Sequence, residues 1–337
     1  MTSPLAPLPA ITRLSPRVIR ILGGNPSKFT LQGTNTHLIG TGTKRLLIDT
    51  GEGFPVWKER LEKVLSEEGG GGGGGGDDVE IESVILTHWH GDHVGGVEHV
   101  REVMREMEGR RGGEKKEEKE EKEREKKEEK EKEKEKEKEK EKEKKKEKVK
   151  IWKHDPSTGQ LGFEDGKVFA VEGATLRAIH TPGHTTDHMC FVLVEEQALF
   201  TGDNVLGHGT AVFEDLATYM KSLNVMLEAE GFEGRAYPSH GEVVEDGRGK
   251  VREYIRHRKQ REGEVSEVLA GKSPGGGDDE WWGSREIVEV VYKEYPESLW
   301  GPAEGGVKQI LKKLEGDGKV RERAGDGKWA LVDKAAL

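Results

Sequence analysis

Seven side chains able to bind a metal ion fall in four short, turn-marked stretches of the sequence. Thr87-His88-Trp89-His90-Gly91-Asp92-His93-Val94-Gly95-Gly96 carries four of them within six positions. His184 follows in Thr181-Pro182-Gly183-His184-Thr185, Asp203 in Phe200-Thr201-Gly202-Asp203-Asn204, and His240 in Tyr237-Pro238-Ser239-His240-Gly241. Imidazole and carboxylate ligands together suit zinc, with manganese or iron as alternatives. His88 and His90 project the same way if extended geometry runs on into the loop, so they can share one ion. Asp92 and His93 lie past the bend and can face a second. Two divalent ions about 3.5–4 Å apart activate water against an acyl or phosphoryl centre and polarise the oxygen under attack. Asp92, a carboxylate beside such a nucleophile, is also the candidate catalytic proton donor or acceptor.

Each stretch needs an element to hold it. Residues 81–86 are short, apolar and β-branched and read as a buried strand, and residues 94–107 have helical apolar spacing. The four clustered ligands therefore sit on a strand-to-helix loop, because their spacing does not place them on one helix face. Upstream, residues 18–22, 29–39 and 45–51 read as a β-meander ending at Asp49. Asp49 reads equally as an acceptor for the spare N–H of a metal-bound imidazole or as a turn residue at the strand end. Helices are expected over 56–68, 216–228 and 250–270, and a strand over 171–179. Residues 162–168 read as a hairpin turning at Glu164-Asp165-Gly166. His208, just after Asp203, stands as either a carbonyl-polarising group or an ordinary surface imidazole.

The charged fraction is 36% against 32% hydrophobic, which taken alone suggests disorder. One segment distorts the average. Residues 114–148 contain 17 Glu, 17 Lys and one Arg, so the segment is near neutral and reads as a tolerated, surface-projecting insertion. The net charge of -10 then belongs to the rest of the chain and argues against a protein dedicated to nucleic acid. Residues 69–76 are all glycine, a flexible linker with no phosphate-loop signature after it. The single cysteine, Cys190, lies in an apolar run and reads as a buried hydrophobe. A lone thiol suits a reducing, cytoplasmic compartment. The acid-poor start with Arg13, Arg17 and Arg20 is a weak mitochondrial hint, and no apolar stretch is long enough for a membrane helix.

Residues 1–270 are expected to form the catalytic domain, 271–283 a linker, and 284–337 a small module. In the module, helices over 284–294 and 304–314 precede a hairpin over 319–332, an order that resembles a winged helix. Ser284 is expected to cap the first helix. From 284 to 337 there are ten basic and ten acidic side chains, so at most a weak basic patch, of Lys308, Lys312, Arg321 and Arg323, is expected for phosphates. Trp281, Trp282, Tyr292, Tyr295 and Trp300 are expected to dock the module on the catalytic domain near the site.

The ordered run HxHxDH, PGHT, TGD and PSHG resembles the metallo-β-lactamase-fold hydrolases over residues 15–260. The resemblance implies an α/β fold, an αββα sandwich with the winged-helix-like module appended. It implies two zinc ions per chain, one on His88, His90 and His184, the other on Asp92, His93 and His240, with Asp203 bridging. An aspartate at 203 in place of a cysteine is similar to the thioesterase, lactonase and nuclease branches and departs from the antibiotic-destroying enzymes. Residues 20–26, 29–36 and 202–210 resemble the fungal lactamase-like thioesterases, which free aromatic polyketides from an acyl-carrier protein. That implies a thioesterase of secondary metabolism with a carrier protein as partner and no nucleic acid or membrane. The alternatives are an endoribonuclease of the β-lactamase-like family, which shares the appended module, and a hydrolase of small glutathione or CoA thioesters. His37, where an aromatic residue commonly follows GTNT, and Gly91 inside the ligand loop depart from the pattern.

Overall fold

Strands whose residues are apolar at every position must be buried on both faces, and this chain arranges them in that way. In the computed structural model, which describes residues 5–69, 79–120, 149–273 and 280–332 but not the side chains of 110–120, two sheets lie face to face between helices. The first sheet runs in the order β1 (Ile11–Ser15), β2 (Val18–Leu22), β3 (Asn35–Ile39), β4 (Lys44–Ile48), β5 (Glu80–Ile85), β6 (Lys150–Lys153) and β7 (Leu161–Gly162). Its first four strands form an antiparallel meander, and from β4 onward pairing is parallel. The second sheet contains β8 (Val168–Val171), β9 (Ala174–His180), β10 (Met189–Leu193), β11 (Ala198–Gly202) and β12 (Ala236–Pro238), ordered β12-β11-β10-β9-β8.

Period-two alternation divides each strand between two apolar layers. Ile19, Ile21, Leu38, Leu47 and Val84 point outward to Trp57, Leu61 and Leu65 of α1 (Pro55–Glu68) and to Val100 and Val103 of the third helix. Val18, Ile39, Leu46, Ile48 and Ile85 point inward and meet Phe169, Leu176, Met189, Phe191 and Phe200 of the second sheet. On the far side Cys190, Val192 and Leu199 pack against Leu216, Tyr219 and Leu223 of α4 (Leu216–Glu228) and Val251 and Tyr254 of α5 (Gly247–Ala270). Helix, sheet, sheet, helix is the expected αββα sandwich. The helical signal after β5 resolves into a single turn, α2 (Gly91–Val94), and a separate helix, α3 (Val97–Glu120).

The hairpin expected over 162–168 does not form. β7 pairs with β6 in the first sheet and β8 with β9 in the second, so this segment carries the chain across the sandwich. Phe163 and Phe169, their rings 5.3 Å apart, both enter the layer between the sheets. That inter-sheet burial, invisible to a local turn signal, decides the path. Residues 70–76 of the glycine linker with Asp77 and Asp78 after it, 121–148 of the charged insertion and 274–279 of the inter-module linker lie outside the described residues.

The C-terminal module contains α6 (Ser284–Val291), α7 (Trp300–Gly316) and a three-stranded sheet of β13 (Trp282–Gly283), β14 (Val320–Arg323) and β15 (Lys328–Leu331), ordered β13-β15-β14. Its core, with Ile287, Val307, Leu311 and Trp329, runs without a break through Trp282 into Val265 and Leu269 of α5. Trp282 is buried as expected, and Tyr292 packs beneath the Arg261 guanidinium of α5 at 4.4 Å. Trp281 instead stacks within the module under Arg321 and Arg323, and Tyr295 stays 48% exposed. The cap is Gly283, not Ser284: Gly283 N donates to Glu286 Oε2 at 2.7 Å, while the Ser284 hydroxyl turns to Glu304 on α7. Lys308 pairs with Glu304, Lys313 and Lys319 with Glu262, Arg321 with Glu280, Arg323 with Asp326, and Lys328 with Glu286.

Candidate metal centre

The site lies where β3, β5, β9, β11 and β12 reach one end of the sandwich. Strand β5 ends at Ile85, and the chain then turns through His88 and His90 into α2, which carries Asp92 and His93. The turn after β9 delivers His184, β11 ends next to Asp203, and β12 ends next to His240. All seven expected residues converge, in two groups whose ligand atoms lie within 4.8 Å of one another. The first is His88, His90, His184 and Asp203; the second is Asp92, His93 and His240.

Two glycines set how closely the loops approach. A Cβ at Gly183 (φ +126°) would lie 2.4 Å from the Tyr219 backbone, so Gly183 lets α4 seat directly on the His184 turn. A Cβ at Gly202 (φ +53°) would lie 2.4 Å from His188 Nε2. Both residues occupy the left-handed region that glycine adopts without steric cost.

In the first group, His88 Nε2 and His90 Nδ1 are 2.9 Å apart, His184 Nε2 and His90 Nδ1 3.1 Å, and His184 Nε2 and His88 Nε2 3.3 Å. A tetrahedral centre with metal–nitrogen bonds of about 2.0–2.1 Å has edges of about 3.3–3.4 Å. Three imidazoles cannot all donate to one another, so a shared cation accounts for the convergence better than hydrogen bonding does. Burial, and then the positive charge that a protonated His93 would carry, hold His88 well below the ordinary imidazole range. Burial and His184 lower His90 likewise. Both are therefore neutral, the form that binds metals.

The second group has the opposite field. Burial opposes protonation of His93, but Asp49, Asp203 and Asp92 overcome it and hold its pKa well above the usual range. His240 is raised to about 9 because Asp203 and Asp92 outweigh burial. The carboxylates that attract a proton here attract a divalent cation in the same way. Asp92 Oδ2 lies 3.2 Å from His93 Nε2 and 3.3 Å from His240 Nε2, and accepts from the Thr34 hydroxyl at 3.0 Å. Burial pushes the Asp92 carboxyl up, but His93 and His240 prevail and keep it below the carboxylate range. Asp92 is thus ionised and able to bind a cation.

Asp203 faces both groups. Its Oδ2 lies 3.5 Å from His184 Nε2, and its Oδ1 lies 3.3 Å from His240 Nε2 and 3.6 Å from His93 Nε2. Asp203 Oδ1 and His93 Nε2 are both buried, yet neither makes a hydrogen bond despite their proximity. Buried polar atoms are otherwise almost always paired. These two, facing each other across a charged gap, are what a metal site looks like in terms of donor chemistry.

The supporting residues are equally ordered. Asp49, fully buried and in the left-handed region at φ +59°, accepts from Thr87 N (2.8 Å), the Thr87 hydroxyl (2.9 Å) and His93 Nδ1 (2.7 Å). It therefore orients His93, one of the two roles its place in the sequence left open. Asp49→Asn should weaken metal binding at the His93 group about 10–100-fold, the usual cost of losing such a partner. Metal titration of the purified variant checks this, and unchanged affinity would contradict it.

His188 was missed by sequence reasoning. Its ring is fully buried behind the site; Nε2 accepts from Asp203 N at 3.0 Å, and Nδ1 lies 3.0 Å from the Thr181 hydroxyl. Burial and neighbouring imidazole charge hold His188 neutral, as an acceptor must be. The only sequence signal was its place four residues after His184, which fits a structural residue equally well. His208 is exposed and lies outside both ligand groups. His37 is buried, lowered to about 3 by burial and the Arg20 charge, and packs edge-on to Phe200 at 5.0 Å, so a neutral imidazole fills the aromatic place. Burial pushes the Cys190 thiol up to about 12, consistent with a core residue and not a nucleophile. Among the described residues no helix is long and apolar enough to cross a membrane.

Comparison with known proteins agrees with this geometry. Residues 29–246 match the metallo-beta-lactamase superfamily, and residues 284–329 match the beta-lactamase associated winged helix domain. The chain is 40% identical over 336 residues to an atrochrysone carboxyl ACP thioesterase of Aspergillus chevalieri, covering 98% of this chain and 92% of that protein. It is 41% identical over 318 residues to a lactamase-like protein of Emericella nidulans, covering 93% and 85%. Among solved structures, a beta-lactamase domain protein from Burkholderia ambifaria superposes with a TM-score of 0.65 at 17% identity, covering 96% of this chain and 95% of that one. Family match, fold and donor set agree: the chain belongs to the metallo-beta-lactamase superfamily, as a hydrolase with a divalent-metal centre and an appended winged helix domain.

Proposed function

We propose that the chain is a dinuclear zinc thioesterase that frees an aromatic polyketide from an acyl-carrier protein. His88, His90 and His184 would hold one ion, Asp92, His93 and His240 the other, and Asp203 would face both. When bound, such a pair supplies a nucleophile at neutral pH and withdraws electrons from the acyl oxygen. The chain's own residues do the rest. The Asp92 carboxylate, steadied by Thr34, accepts the proton of the attacking water and returns it to the departing thiolate. Asp49 and the Val212 carbonyl fix which nitrogen His93 and His184 present, since each receives the Nδ1 proton. His188 holds the Asp203 backbone in place.

One observation carries the substrate reading: the similarity to the Aspergillus chevalieri thioesterase covers 98% of this chain, so it includes the site loops and the C-terminal module. The ribonuclease reading needs a basic module, and here Lys308, Lys313, Arg321, Arg323 and Lys328 pair with neighbouring acids.

Trp89 gives the acyl group a place to rest. Its indole is 51% exposed and meets His90 edge-on at 4.4 Å, leaving apolar surface beside the ligands. Stacking of a planar acyl group there contributes about 0.5–1.5 kcal/mol. Trp89→Ala should therefore raise KM for an aryl thioester by roughly 2–10-fold and leave KM for an acetyl thioester unchanged. Steady-state kinetics on both substrates, with single-stranded RNA as a third, test the proposal. RNA cleavage without thioester turnover would reject it.

A further inference from the structure

The loop that leaves Asp203 is held, group by group, by side chains from two helices. Tyr219 Oη on α4 donates to Asn204 O at 2.5 Å. Tyr254 Oη on α5 accepts from Leu206 N at 3.1 Å and donates to Gly209 O at 2.9 Å. One helical turn later, Arg258 Nη2 donates to Ala211 O at 2.7 Å, and the guanidinium covers the Phe213 ring at 4.7 Å. Between Ala211 and Phe213 stands Val212, whose carbonyl lies 2.8 Å from His184 Nδ1. The Val212 side chain is 66% exposed, so its own packing does not hold that carbonyl. Its neighbours do: Arg258 grips both Ala211 and Phe213, Phe213 also stacks on Tyr219 at 5.3 Å, and Glu214 N donates to Gly183 O at 2.7 Å.

We propose that Arg258 is a positioning residue for the metal centre: by gripping Ala211 and Phe213 it aims the Val212 carbonyl at His184 and so fixes the nitrogen that His184 offers to the ion. With Nδ1 engaged by the carbonyl, the lone pair sits on Nε2, the atom that faces His88 and His90. Arginine suits the task because one planar group can donate along its edge and stack on its face. The next turn of α5 anchors the helix to the winged helix module, through Arg261 over Tyr292 and through Glu262, which pairs with Lys313 at 2.9 Å. The module thereby stiffens the helix that sets a metal ligand, a role that needs no nucleic acid.

This inference rests on the metal reading above, and the test separates the two. Metal-free full-length protein, Arg258→Ala and Arg258→Lys are titrated with Co2+ alone, following visible absorption and competition with a chelator. Leu61→Ala, on the buried face of α1 and in a different apolar layer from Ala211 and Tyr254, serves as a control for general loss of stability. The wild type should take up two ions. Arg258→Ala should keep one at wild-type affinity and bind the other about 10–100-fold more weakly, as loss of a supporting partner does. Arg258→Lys, which can still donate to Ala211 O, should recover part of that loss and decides the matter if the alanine variant does not fold. Two ions at wild-type affinity in the Arg258 variants, or an even weakening of both ions like that in Leu61→Ala, would overturn the proposal. A wild type that binds no ion would instead overturn the metal reading.

Discussion

Replacing Asp203 with alanine should remove turnover almost completely, by more than about 10³-fold, because loss of a metal ligand exceeds the 10–100-fold cost of losing a supporting partner. The reason lies in its two oxygens. Oδ2 faces His184 of one group, and Oδ1 faces His240 and His93 of the other, so one substitution withdraws a donor from both. His88→Ala should remove one ion, since His88 Nε2 serves a single group. Elemental analysis of the two purified variants distinguishes these outcomes. Full metal content and full turnover in Asp203→Ala would contradict the assignment.

The second large effect concerns stability. Lys153, at the end of β6 in the first sheet, forms an ion pair with Asp187 in the turn between β9 and β10 of the second, with side chains only 6% and 3% exposed. Asp187 Oδ1 also accepts from the Thr185 hydroxyl at 2.7 Å, and Lys153 Nζ donates to Asp155 O at 2.6 Å. The pair ties the two sheets together next to the His184 turn. Lys153→Ala leaves a carboxylate buried without its partner and should cost about 3–5 kcal/mol. Replacing both members with apolar residues of similar size should cost much less, because no charge is then left unpaired. Denaturant unfolding of the single and double variants checks this. A loss under about 1 kcal/mol in the single variant, the range of an exposed pair, would show that water reaches the site.

What the sequence revealed about this molecule follows a physical division. The seven candidate ligands were legible because metal-binding residue types are scarce and here stand at the ends of apolar, β-branched runs, where loops can bring them together. The αββα layers were legible for a related reason: strands such as Met189–Leu193 are apolar at every position and require cover on both faces. Asp49 ends a buried strand, a place that allowed either a turn residue or an acceptor for an imidazole ligand, and its contacts with Thr87 and His93 decide for the second. Groups whose role is set by distant partners could not be read. Lys153 looks like any charged residue at a strand end, and nothing near it in the chain announces Asp187. His188 differs from a surface histidine only through contacts made in three dimensions. The segment at 162–168 carries a good turn signal, but the destination of a strand is chosen by the layer its phenylalanines fill. Ser284 has a favoured capping side chain, yet Glu304 on α7 draws its hydroxyl away.

The central claim is that the metal centre cleaves a thioester held by a carrier protein. The direct measurement is acyl release from an acyl-carrier protein loaded with an aromatic polyketide thioester, followed by mass spectrometry of the carrier. Zinc-loaded wild-type chain should convert the acylated carrier to free thiol and liberate the carboxylic acid. Chelator-stripped protein and Asp203→Ala should leave the carrier acylated, and added zinc should restore release in the stripped wild type but not in the variant. A carrier that stays acylated with zinc-loaded wild type, alongside cleavage of single-stranded RNA that disappears in Asp203→Ala, would contradict the account.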